Sequence, residues 1–125
     1  MRDRSYNKYK EKTTQVIGFN SEQIAERALA ALKSEEKIDD YRKEDYNGVD
    51  FVIKQNGTEV RIQIKSSFLA ASRKHLDLYP DIPVIVVRTG FKITPHKAKQ
   101  REISTKAKIM EVLEHIKRGE QVRII

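Results

Sequence analysis

The chain contains no cysteine. That absence excludes disulfides, zinc knuckles and thiol nucleophiles, so any metal site has to be built from oxygen or imidazole ligands. Long hydrophobic runs are missing as well. No stretch approaches the roughly 18 apolar residues of a membrane span, and the first residues lack the hydrophobic segment of a secretory signal. A soluble, cytoplasmic protein with no membrane partner is the expectation. Histidine is scarce, and His96 has no second histidine at ligand spacing. Charge is abundant: 25 Lys+Arg stand against 18 Asp+Glu, a net charge of +7 in 125 residues, with a pI of about 9.6. This is the footprint of a polyanion binder, although solubility alone accounts for such a balance in many proteins. The length suits a single domain, 1–125, with one compact core.

Residues 1–15 carry Arg2, Arg4, Lys8, Lys10 and Lys12 with Tyr6 and Tyr9 between them, and show no core periodicity. They read as a basic N-terminal arm, either solvated or laid against phosphates with its tyrosines on sugars or bases. A first helix is expected from Asn20 or Ser21, either of which can cap it, to about Lys33. Its apolar residues Ile24, Ala25, Ala28, Leu29 and Leu32 recur at three- and four-residue steps. Glu22 lies at the edge of that apolar face and Glu26 further round toward the polar side. Glu22 is therefore the carboxylate able to reach a neighbouring strand, although a solvated first-turn charge would look the same.

An irregular strand is expected within Ile38 to Tyr46, then a turn at Asn47-Gly48 and a strand over Val49 to Lys54. Asn56-Gly57 suits a type I′ hairpin turn. In the next strand Val60, Ile62 and Ile64 alternate with Arg61, Gln63 and Lys65, which puts the polar set on one face. A half-buried strand with a charged outer face has the same pattern. The combination is what points to chemistry: phosphodiester hydrolysis needs a hard cation, for which Asp50 offers a carboxylate and Gln63 an amide oxygen. Lys65 is then placed to stabilise developing negative charge or orient water, and Glu22 to complete the metal's surroundings directly or through water.

Through Gly18-Phe19-Asn20-Ser21-Glu22, Gly48-Val49-Asp50 and Gln63-Ile64-Lys65-Ser66-Ser67 the chain resembles the PD-(D/E)XK nuclease superfamily, over roughly Gly18 to Val87. The likeness is to its Gln-x-Lys variants, seen in intron-associated homing endonucleases, and to archaeal Holliday-junction resolvases, where a glycine four residues before the helix glutamate is common. The resemblance implies a restriction-endonuclease-like α/β fold, a mixed central sheet flanked by helices in the order αβββαβ. It implies Mg²⁺- or Mn²⁺-dependent endonucleolytic cleavage of DNA, in repair, recombination, restriction or intron mobility. Asp50 would be the central ligand, Gln63 the second, Glu22 the outer carboxylate and Lys65 the catalytic base or charge stabiliser. Val49 replaces the proline of the family name. Gln63 replaces the usual acidic residue, and a neutral ligand implies weaker metal binding or a single-metal site.

Further along, Phe68 to Leu78 is expected to be helical with Ser66 or Ser67 as cap or as a phosphate contact. Its apolar residues would be Phe68, Leu69, Ala71, Leu76 and Leu78. Pro83 to Val87 has the apolar content of a strand covered on both faces. Lys92 to Lys108 reads as a basic loop clamping a DNA backbone, with Lys92, His96, Lys97, Lys99 and Arg101 as contacts alongside Arg61. A last helix capped by Ser104 or Thr105 is expected to bury Ile109, Val112, Leu113 and Ile116 and to stop at Gly119. Met110 is a candidate dimer contact, and Gln121 to Ile125 a short strand. Cutting both strands of a duplex calls for two active sites, hence an expected homodimer or tetramer. The alternatives are an inactive nucleic-acid-binding module of the same fold, favoured by Gln63, and a basic RNA-binding α/β domain in which Asp50, Gln63 and Lys65 are surface residues.

Overall fold

A computed structural model describes residues 4–67 and 73–125, with side chains for 15–67 and 76–125. The elements run α1 (Arg4–Ser34), β1 (Asp40–Tyr46), β2 (Val49–Gln55), β3 (Thr58–Lys65), α2 (Arg73–Leu78), β4 (Val84–Val86) and α3 (Pro95–Lys117). They make an α/β fold, a four-stranded sheet ordered β1-β2-β3-β4 and flanked by helices. The first two pairings are antiparallel and the third is parallel. Among the described residues no helix is long and apolar enough to cross a membrane.

Both hairpin turns follow from their Asn-Gly pairs. Asn47 and Gly48, like Asn56 and Gly57, all have positive φ, as a type I′ turn requires, and asparagine and glycine tolerate that region best. The terminal strand is present as a single parallel bridge, Ile124 beside Val84.

One face of the sheet builds the core. Phe51 and Ile53 of β2, Val60, Ile62 and Ile64 of β3, and Ile85 and Val87 pack against Ile24, Ala28 and Leu29 of α1 and Ile109, Val112 and Leu113 of α3. Each fully buried aliphatic or aromatic side chain is worth roughly 1.5–3 kcal/mol, so this cluster fixes where the strand ends lie. Met110, partly buried, packs against the same core.

Three expectations about helices are corrected. The first helix begins by Arg4, well before Asn20 or Ser21, so residues 4–15 belong to it. Lysine, glutamate and glutamine are good helix formers, and extending an existing helix costs no second nucleation, so a segment without apolar periodicity still winds. Ser21 is then no cap: it lies within the helix, and its hydroxyl donates to the Val87 carbonyl at 2.8 Å, tying α1 to the end of β4. The expected loop from Lys92 to Lys108 is mostly helix. Thr94, not Ser104 or Thr105, caps α3 by accepting from the Lys97 N–H, and Pro95 occupies the first turn, where its missing N–H costs nothing. Gly119 does end the helix, with positive φ and its N–H on the Ile116 carbonyl. The expected contributions of Phe68, Leu69 and Ala71 lie outside the described residues.

Candidate functional site

The site forms where β2 and β3 part. Their last ladder pair is Phe51↔Ile62, and one further step of that register puts Asp50 across from Gln63 on the same face of the sheet. Beyond that pair the Asp50 side chain takes over from the backbone: its Oδ2 accepts the Ile64 N–H at 2.7 Å. Parallel pairing with β4 holds the other edge of β3, through Gln63 N–H to the Pro83 carbonyl and Val87 N–H to the Lys65 carbonyl. Gln63 and Lys65 thus sit on a strand end bonded on both sides, to Asp50 of β2 on one and to the β4 segment on the other.

Asp50 is only 6 % exposed. Its carboxyl is pushed up to about 6, first by burial, against which the Ile64 N–H pulls down. Glu22 and Asp45 raise it further by like-charge repulsion, and Lys65 draws it back. The cause is first the loss of solvent around the carboxyl and then the neighbouring carboxylates. Glu22, Asp45 and Asp50 each bring a carboxylate oxygen within 4.8 Å of the others.

Glu22 reaches this cluster from α1, and Lys43 of β1 lies 3.5 Å from its carboxylate. Glu26 is exposed and lines a shallow groove with Ala30, Lys33 and Asp40 instead. Gln63 is 9 % exposed, and its Oε1 is buried with no hydrogen-bond partner among the described residues. A buried amide oxygen left unpaired costs roughly 1–3 kcal/mol, so this atom is poised to accept a donor or a cation. Three carboxylates and an unpartnered amide oxygen make a donor set of hard oxygens, which suits Mg²⁺ or Mn²⁺ and suits soft metals poorly.

Asp45 was not among the residues singled out from sequence. It lies where the β1–β2 register shifts between Lys43 and Tyr46, an irregularity that re-aims side chains. Nothing in Lys43-Glu44-Asp45-Tyr46 marks the bulge. The only signal is an acidic residue just before the Asn-Gly turn that leads into Asp50.

The expected nucleic-acid contacts fall in three places. Ser66 and Ser67 form the bend directly after Lys65. His96, Lys97, Lys99 and Arg101 are exposed on the first turns of α3, with Lys92 exposed just before it. Arg61 lies apart from them, in a cleft shared with the acidic Glu44, Glu59 and Asp81. Asn20 joins the two regions, donating to the Gly90 and Phe91 carbonyls, so the loop leading to α3 packs beside the helix that carries Glu22. Lys108 adds a cation: it donates to the Val86 carbonyl, and burial, then Arg88 and Arg101, hold its amine below the usual lysine range.

No protein-family model, curated protein or solved structure matches this chain.

Proposed function

We propose that the protein is a metal-dependent endodeoxyribonuclease of the PD-(D/E)XK kind, with a restriction-endonuclease-like core. The observation that carries this reading is the meeting of the carboxylates of buried Asp50 and Glu22 from α1, at the strand end where the register sets Gln63 across from Asp50 and Lys65 acts on the Asp50 carboxyl. The order of elements supports it: a helix, three antiparallel strands, a helix, then a strand parallel to the third.

Asp50, Glu22 and Gln63 would hold Mg²⁺ or Mn²⁺. When bound, such a cation neutralises charge on a phosphoryl oxygen and makes water more acidic. The chain's own residues do the rest. The Ile64 N–H fixes one oxygen of Asp50. Lys65 places its ammonium group against negative charge developing on the phosphoryl group, or holds the attacking water. The cations of α3 engage backbone phosphates and set the DNA in register. A duplex cut on both strands would take two copies of the chain.

A second reading, a binding module without cleavage, is favoured by Gln63, whose neutral amide attracts a cation less than a carboxylate does. Supercoiled plasmid, branched junctions and single-stranded DNA, each incubated with Mg²⁺, Mn²⁺ or chelator, separate the two. The nuclease reading expects cutting that needs metal and disappears in Asp50→Ala and Lys65→Ala. Cutting that survives in both variants contradicts it. Tight, salt-sensitive binding without cutting supports the binding module.

A further inference from the structure

The structure assigns Asp45 a role that the sequence pattern gives to no residue: we infer that it is a ligand of the metal site and supplies the negative charge which the neutral Gln63 does not. The inference rests on the metal-site reading above and extends it to a residue outside the hairpin β2–β3.

Two observations carry it independently. The first is position. The register shift in β1 brings a carboxylate oxygen of Asp45 within 4.8 Å of those of Glu22 and Asp50, although β1 otherwise pairs on the far side of β2 from Gln63. The second is the unpaired Gln63 Oε1, buried on the same face as Asp50. A carboxylate cluster alone would be unremarkable on a protein surface. An amide oxygen that is buried without a donor among the described residues, on the residue across from Asp50 on the same face, is a second sign that a cation completes the structure here.

Charge arithmetic gives the role its content. Glu22 and Asp50 provide two negative charges, and Glu22 already has the Lys43 ammonium 3.5 Å away. Lys65 also acts on Asp50. Two carboxylates beside two ammonium groups leave little net attraction for a divalent cation. Asp45 restores it, and does so from a strand that can adjust, since its carboxylate is on an exposed residue next to a turn. Without metal the same crowding is a repulsion, so the apo site is strained by the charge that makes it useful.

The swap between positions 45 and 63 is the test. Mn²⁺ binding to the full chain is measured by titration calorimetry for wild type, Asp45→Asn, Asp45→Glu, the double variant Asp45→Asn/Gln63→Glu, and Asp50→Asn, with folding checked by circular dichroism in chelator. The expected result is a loss of about tenfold or more in Asp45→Asn, retention in Asp45→Glu, and recovery of most of the affinity in the double variant. Wild-type affinity in Asp45→Asn, with binding lost in Asp50→Asn, overturns the role of Asp45 and leaves the metal site standing. Weakening in Asp45→Asn without recovery in the double variant overturns the charge-replacement argument. No Mn²⁺ binding by wild type, or binding undiminished in Asp50→Asn, overturns the metal site itself and Asp45 with it.

Discussion

Asp50 shows how a single residue can cost stability and supply function at once. Its carboxyl rises from the ordinary 3.8 to about 6 in the fold, so the folded state holds the proton more tightly than the unfolded chain. The stabilisation from that proton is fully present below about pH 4 and is lost as the pH rises through about 6, a contribution of about 2–3 kcal/mol. In chelator, wild type should therefore lose thermal stability between about pH 4 and about pH 7, and Asp50→Asn should lose less and be the more stable protein at about pH 8. Melting curves across that range check this, and an Asp50→Asn protein that melts lower than wild type at about pH 8 contradicts it. Gln63 fits the same pattern of stability given up at a site, because its buried Oε1 has no partner among the described residues. The placement of Asp50, Gln63, Lys65 and Glu22 was legible because each sits in a regular element whose period fixes its face. Asp45 was not legible, because a bulge has no period and leaves no mark in composition.

At the scale of elements, the turn before β2 is the least tolerant point. Gly48 has φ +77°, and a Cβ there would meet the Tyr79 ring at 2.7 Å. Gly48→Ala should cost about 2–4 kcal/mol, combining left-handed strain with a clash against an aromatic ring. Because the turn leads straight into Asp50, metal affinity should fall with it. Urea denaturation and Mn²⁺ titration of the variant measure both, and an unchanged midpoint would contradict the close approach. Gly18 is the opposite case. It lies inside α1 with open space around its Cα, so Gly18→Ala should raise stability by about 0.5–1 kcal/mol. That gain would be absent if the helix began at Asn20, and it thus tests the corrected start of α1. The hairpin was readable from the two Asn-Gly pairs and the alternation of Val60, Ile62 and Ile64, which are local signals with local causes. The start of α3 lies within the expected basic loop because its first turn carries no apolar signal; Pro95, after the Thr94 cap, is a first-turn residue rather than a helix breaker. The extension of α1 was missed because the segment before Asn20 carries no apolar rhythm in the sequence.

For the whole molecule, the excess of 25 Lys+Arg over 18 Asp+Glu acquires a direction once α3 is seen as a helix. Lys97 and Arg101 stand one turn apart on it and are both exposed, a spacing that sets both on one face. DNA affinity should fall linearly on a log–log plot against salt, and Lys97→Ala/Arg101→Ala should make the slope shallower by about 2. Fluorescence anisotropy over a salt series measures it, and an unchanged slope would move the phosphate contacts elsewhere. Arg61→Ala, in its acidic cleft, should leave the slope alone. The central claim is that one end of this sheet holds a hard divalent cation. Its most direct measurement is an anomalous difference map from crystals of the protein soaked in Mn²⁺. The account predicts a peak among the carboxylates of Glu22, Asp45 and Asp50 and in contact with Gln63 Oε1. A peak elsewhere, or none while these side chains keep their places, would contradict it.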